Sequence, residues 1–132
     1  MPVINITQKD INRQKPADEG WHLLELTSVS EGTSKDKQSV NFVFEFEVTG
    51  DNDPSKGRYV YQLVNSKAAG MSLIPMGCAI LNIKLDEFNP QEIDTDKWIG
   101  KKVWGEIVDR VYEGKIQKNV TNWAPENSRA PF

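Results

Sequence analysis

Between Lys101 and Trp123 the chain brings aromatic rings, cations and amides close together: Lys101, Lys102, Trp104, Arg110 and Tyr112, then Lys115, Gln117, Lys118, Asn119 and Trp123. Flat rings can stack on unpaired bases and cations can follow a phosphate backbone, so the combination suits a single-stranded nucleic acid. Arg58, Tyr59 and Tyr61 repeat it on a smaller scale, and Lys35 and Lys37 add charge to an earlier turn. A stacked base is worth roughly 1–3 kcal/mol, so two or three rings with a few cations give useful affinity. The candidate nucleic-acid-binding residues are therefore Lys35, Lys37, Arg58, Tyr59, Tyr61, Lys101, Trp104, Arg110, Tyr112, Lys115, Lys118 and Trp123. A plainer reading stands beside this one. Rings in a small β-protein also fill the core, and cations on strand edges also discourage aggregation.

Other chemistries find less to work with. Cys78 and His22 are the sole cysteine and histidine, so no intrachain disulfide forms and a Cys/His zinc site lacks half its ligands. Neither residue has an activating motif beside it, which leaves Cys78 as a buried thiol and His22 as a strand histidine. Glu92, Asp94 and Asp96 read as solvated loop acids rather than a carboxylate centre. Gly70 and Gly77 are not followed by the Lys-Ser/Thr of a phosphate-binding loop, and no GxGxxG occurs. The expectation is no catalytic set, no metal and no cofactor, and therefore not an enzyme.

The totals bound the rest. A chain of 132 residues fits one domain, and its four tryptophans argue against general disorder. No apolar run approaches the roughly 20 residues of a membrane span, and the first residues, Met1-Pro-Val-Ile-Asn, carry neither a basic leader nor an apolar core. A soluble protein of the cytoplasm is expected. Its net charge of −3 counts against nucleic acid, but net charge says little about distribution, and a local basic surface can coexist with acidic loops.

The elements that must position these residues follow from periodicity. Residues 1–19 read as a lead-in strand or arm. Gly20 opens a strand through Val29, with Trp21 assigned to the core, and residues 31–37 have turn composition. Val40–Val48 alternates strictly, setting Phe42, Phe44, Phe46 and Val48 on one face. Gly50–Gly57 is a loop, and Arg58–Val64 returns as a third strand. Ser66–Leu85 suits a helix that Pro75 starts or kinks near Ser72, and Asn89-Pro90 begins a short helical turn. Lys101–Tyr112 places Val103, Ile107 and Val111 on one face. Glu113-Gly114 turns the chain, and Lys115–Trp123 sets Ile116 and Val120 opposite Gln117, Asn119, Thr121 and Trp123. The order β-β-β-α-β-β predicts an all-β fold with one helical insertion: a five-stranded OB-type β-barrel over residues 20–124, with its helix between strands 3 and 4 and a tail at 125–132.

Two stretches also carry a family likeness. Thr33-Ser-Lys-Asp-Lys, then VNFVFEFEVTG and Lys56-Gly-Arg-Tyr-Val, resemble phage early proteins with a polar loop, an apolar strand and a Gly-Arg-aromatic step. Trp98-Ile-Gly-Lys-Lys-Val-Trp-Gly-Glu-Ile and Tyr112-Glu-Gly-Lys-Ile-Gln-Lys-Asn-Val-Thr-Asn-Trp-Ala-Pro are similar to the close of the same proteins. These are phage and prophage single-stranded DNA-binding proteins and phage proteins encoded near recombination genes. The resemblance covers about Gly20 to Pro125. It implies an OB fold, sequence-independent binding of single-stranded DNA in replication or recombination, a homo-oligomer, and work in the host bacterial cytoplasm beside phage or host replication and recombination proteins. The alternative is an adaptor of the phage replisome or recombination machinery that uses the barrel for protein contacts alone. Members of the wider bacterial family end in an acidic tail tipped by Pro-Phe. This chain has Pro131-Phe132, but Arg129 precedes it and no acidic run does.

Overall fold

A computed structural model describes residues 3–12, 14–33, 39–89, 91 and 93–128. Five strands form one antiparallel sheet: β1 (Gly20–Thr33), β2 (Val40–Val48), β3 (Tyr59–Asn65), β4 (Lys102–Tyr112) and β5 (Lys115–Pro125). Their order in the sheet is β3-β2-β1-β4-β5. A short helix α1 (Gln8–Asn12) precedes them, and helix α2 (Ala69–Leu81) lies between β3 and β4. The strand starts, the single main helix and its place in the order follow the sequence pattern, but β1 runs on to Thr33 through residues expected to turn, because Glu31–Thr33 pair with Val40–Phe42.

Strand β1 is shared. Its first part, Gly20–Glu25, pairs with β4, and Leu24–Thr33 pairs with β2. A bulge at Thr27 interrupts the second ladder, and the Thr27 hydroxyl donates to the Glu45 carbonyl at 3.0 Å. Bulges bend a strand and increase its twist. Here the bend carries β1 from one partner to the other. The loop before β4 closes on the same point, since Gly100 N–H donates to the Leu26 carbonyl at 2.8 Å and Leu26 N–H to the Lys101 carbonyl at 3.1 Å.

The core lies on the face that Leu24, Leu26, Phe44, Phe46, Val48, Val60, Val64, Val103, Ile107 and Val120 share, with Leu73, Met76, Ala79 and Ile80 of α2 packed against it. Trp98, in the loop after α2, is buried with them. Gly77 lets the helix approach this closely: a Cβ there would lie 2.6 Å from the Phe88 ring and 2.9 Å from that of Trp98. Helix α2 starts at Ala69 and runs through Pro75 instead of beginning near it. Pro75 and Met71, four residues back, are both exposed, so the carbonyl that proline leaves without a helical donor sits on the wet side.

Two expectations need correction. The closed barrel is not formed: β3 and β5 are the two outer strands of the sheet and share no ladder. A side chain spans the seam instead, Val120 N–H donating to Gln62 Oε1 at 3.1 Å. At its start, β3 is engaged by the chain before β1, through a parallel bridge of Pro16 with Tyr59 and a bond from Ala17 N–H to the Tyr59 carbonyl at 3.2 Å. That arm occupies edge groups a closing strand would need. Trp21 is not in the core either. His22, Leu24 and Leu26 point inward, which turns Trp21 and Leu23 to the opposite, half-exposed face. His22 is buried between an Asp53 carboxylate oxygen and the Asp18 carbonyl, and so ties the β2–β3 loop to the end of the arm.

Gly105 marks the tightest point of the sheet, where a Cβ would meet Leu24 at 2.8 Å and Val120 at 2.9 Å. Replacing Gly105 by Val should lower stability by about 1–3 kcal/mol through overpacking, read as a reduced urea midpoint with unchanged m-value.

Candidate nucleic-acid interface

The seam between β3 and β5 is a cleft of about 420 Å³ lined by Pro16, Tyr59, Val60, Tyr61, Leu63, Gln117, Lys118 and Asn119. Three candidate residues meet there. Tyr61, 44% exposed, and Leu63, 60% exposed, stand on the β3 side, and Gln117, Lys118 and Asn119 follow one another on the β5 side, Lys118 turned to the opposite face from the two amides. The Lys118 ammonium lies 2.6 Å from the Asp109 carboxylate, its cross-strand partner. Tyr59 borders the cleft but is only 1% exposed, and its hydroxyl donates to Glu47 at 3.3 Å. It offers no face to a base and drops out of the stacking set, because the strap at Pro16–Ala17 runs beside it.

The remaining candidates are dispersed. Arg110 and Lys115 are exposed on the β4–β5 hairpin and make no ion pair with a described residue. Lys101 is exposed at the opposite end of β4, where it lines a second cavity of about 420 Å³ with Lys102, Asn82, Gly100, Glu126 and Asn127. At about 3.3 Å per residue, the nine residues from Lys101 to Arg110 amount to roughly 30 Å, too far for one patch. Arg58 is held 3.4 Å from the Asp18 carboxylate. Trp104 is half-buried on the outer face, its indole N–H donating to the Glu126 carbonyl at 3.2 Å. Lys35 and Lys37 lie outside the described residues, as does the Pro131-Phe132 tip. Tyr112 ends β4 as expected.

Trp123 lies on the core side, contrary to its expected face. The β4–β5 ladder pairs Glu106 with Asn122 and Ile107 with Val120, leaving Thr121 as an extra residue. One added residue reverses the alternation. Val120 and Trp123 therefore share the inner face, and the Trp123 ring packs on Phe46 with centroids 5.4 Å apart. Val111 and Ile116 depart in the other direction. They continue the inward rows of Ile107 and Val120 but stand 76% and 65% exposed, because the hairpin outruns the core.

The outer face of the sheet is acidic. Tyr59 pairs with Glu47, Glu47 with Glu25 and Glu25 with Lys102, in one row across four strands. Neutral donors serve the carboxylates: Thr27 for Glu45 at 2.9 Å, Tyr59 for Glu47 and Asn122 for Glu106 at 2.7 Å. Phosphate groups are disfavoured over this surface. Among the described residues no group of three or more His, Cys, Asp or Glu could hold a metal ion. Burial pushes the Cys78 thiol up from its ordinary pKa, away from nucleophilic character. Among the described residues no helix is long and apolar enough to cross a membrane.

No protein-family model matches the chain, and a search of curated proteins finds no significant match.

Replacing Trp123 by Ala should cost stability toward the low end of the roughly 3–5 kcal/mol seen for large core rings. Thermal melts would read the loss, and any nucleic-acid affinity of the folded fraction should stay within twofold.

Proposed function

We propose that the protein binds single-stranded DNA without sequence preference, through the cleft between β3 and β5 and the hairpin beside it. The observation that carries this reading is the convergence of Tyr61, Gln117, Lys118 and Asn119 on one open cleft, with Arg110 and Lys115 exposed on the same hairpin. An unpaired base stacks on Tyr61 while the amides meet its polar edge. The cations of the hairpin follow the phosphates, and the glutamates of the outer face keep the strand from spreading across the sheet.

The strand order supports an OB-type fold. Such a barrel is often partly open, carries its helix between strands 3 and 4, and binds across strands 2 and 3 and the loops beside them. The order here is that of an OB barrel with the β3–β5 seam unzipped. Together with the resemblance of residues 33–58 and 98–125, this order supports reading the protein as one similar to phage and prophage single-stranded DNA-binding proteins, acting in the host cytoplasm in replication or recombination. The exposed Val111 and Ile116 favour a second reading, an adaptor that contacts proteins of that machinery without touching nucleic acid.

Fluorescence anisotropy of a labelled oligothymidylate separates the two. DNA binding predicts saturable binding at low salt, with log affinity falling linearly against log salt by about 0.7 per phosphate neutralised. Tyr61→Ala should weaken it by roughly 1–3 kcal/mol, about 5- to 150-fold, with circular dichroism unchanged. No anisotropy change and no mobility shift at low salt would overturn the reading in favour of the adaptor.

A further inference from the structure

The tip of the β4–β5 hairpin carries an unpaired edge whose geometry is self-complementary. Glu113 and Gly114 have φ of 51° and 77°, the signature of a two-residue type I′ turn. Tyr112 and Lys115 flank it as the first hydrogen-bonded pair, so Val111 and Ile116 form the next, non-hydrogen-bonded pair. The peptide groups of Val111, and of Asp109 two residues back, therefore point away from β5. Strand β1 begins at Gly20, opposite Ile107, so among the described residues no strand lies beside β4 beyond that point. On one face of this ribbon Val111 and Ile116 sit opposite each other, 76% and 65% exposed. Two-stranded ribbons are marginal by themselves and gain from a further strand.

We infer that this edge pairs with the same edge of a second copy of the chain, antiparallel about a two-fold axis at Val111. Only outward-turned residues can exchange hydrogen bonds across such an axis, which leaves three registers. An axis at Asp109 sets Val111 opposite Ile107 of the second copy, where β1 already occupies the edge from Gly20, and one at Arg110 opposes two arginines; like charges directly opposite in a ladder are destabilising. An axis at Val111 sets valine against valine and Arg110 opposite Tyr112 of the second copy. It also creates a four-stranded sheet crossed by an unbroken aliphatic row, Ile116-Val111-Val111-Ile116. Asp109 then falls opposite the turn residue Glu113 of the second copy, and the Lys118 ammonium, 2.6 Å from Asp109, supplies a cation there. Two short strands bury less than the roughly 1,200–2,000 Å² of stable complexes, so the dimer forms with concentration rather than permanently. The inference does not depend on DNA, and its test contains none.

The experiment places single cysteines in a Cys78→Ser background. At the axis, Val111→Cys would sit with Cα atoms about 5.5 Å apart, within the roughly 4.4–6.8 Å of a disulfide. Ile116→Cys, similarly exposed, would face its counterpart across three strand spacings, about 14 Å. Under mild oxidation Val111→Cys should become a covalent dimer at least tenfold faster than Ile116→Cys. Light scattering of the unmodified chain should show its mass rising toward twice the monomer value with concentration, and Val111→Lys should abolish the rise. A mass that stays monomeric at all concentrations overturns the inference. So do equal cross-linking rates at the two positions, and so does association that survives Val111→Lys and is lost on removing the exposed arm residues 3–6.

Discussion

Everything distinctive in this structure depends on one strand having two partners on different parts of its length. Only Leu24 and Glu25 pair on both sides of β1. Before them the strand belongs to β4, and after them to β2. The Thr27 bulge and the bonds of Leu26 to the Gly100–Lys101 backbone hold the bend between the two halves. The hairpins on either side are consequently displaced along the strand direction in opposite senses. β2 and β3 extend with the far end of β1, while β4 and β5 extend past its beginning. A projecting hairpin tip follows from this displacement, as does a seam in which β3 and β5 approach without a shared ladder.

The seam concentrates the polar features a ligand could use. Gln62 bridges it by a side chain, and Tyr61 and Leu63 on either side of Gln62 are exposed. The arm enters at the same place and hides Tyr59. Two tyrosines in alternate positions of one strand thus end with opposite fates, one under the strap and the other at the mouth of the cleft.

Charge is sorted by the same geometry. Glu25, Glu45, Glu47 and Glu106 alternate with core residues and so fall on the outer face, where hydroxyl and amide donors satisfy several of them. Cations are placed where strands end or outrun the core: Lys101 at the start of β4, Arg110 and Lys115 on the hairpin. A chain of net negative charge can therefore present exposed cations at its strand ends, though fewer than a count of lysines and arginines suggests.

Local periodicity was sufficient for the strands, the main helix, their order and the inward face of Phe44, Phe46, Val103 and Ile107, because a two-residue repeat is written into the chain itself. It could not decide the side of Trp123, since a bulge is a property of two paired strands and one extra residue reverses every later assignment. Nor could it bury Trp98, expose Val111 and Ile116, or hide Tyr59. Those outcomes depend on where the core stops, how closely α2 approaches at Gly77, and which segment crosses the edge of β3. The sequence by itself determined which residues are available for stacking, charge and packing. The tertiary structure decided which of them share a surface, because register, bulges and the split pairing of β1 are long-range choices that no local window contains.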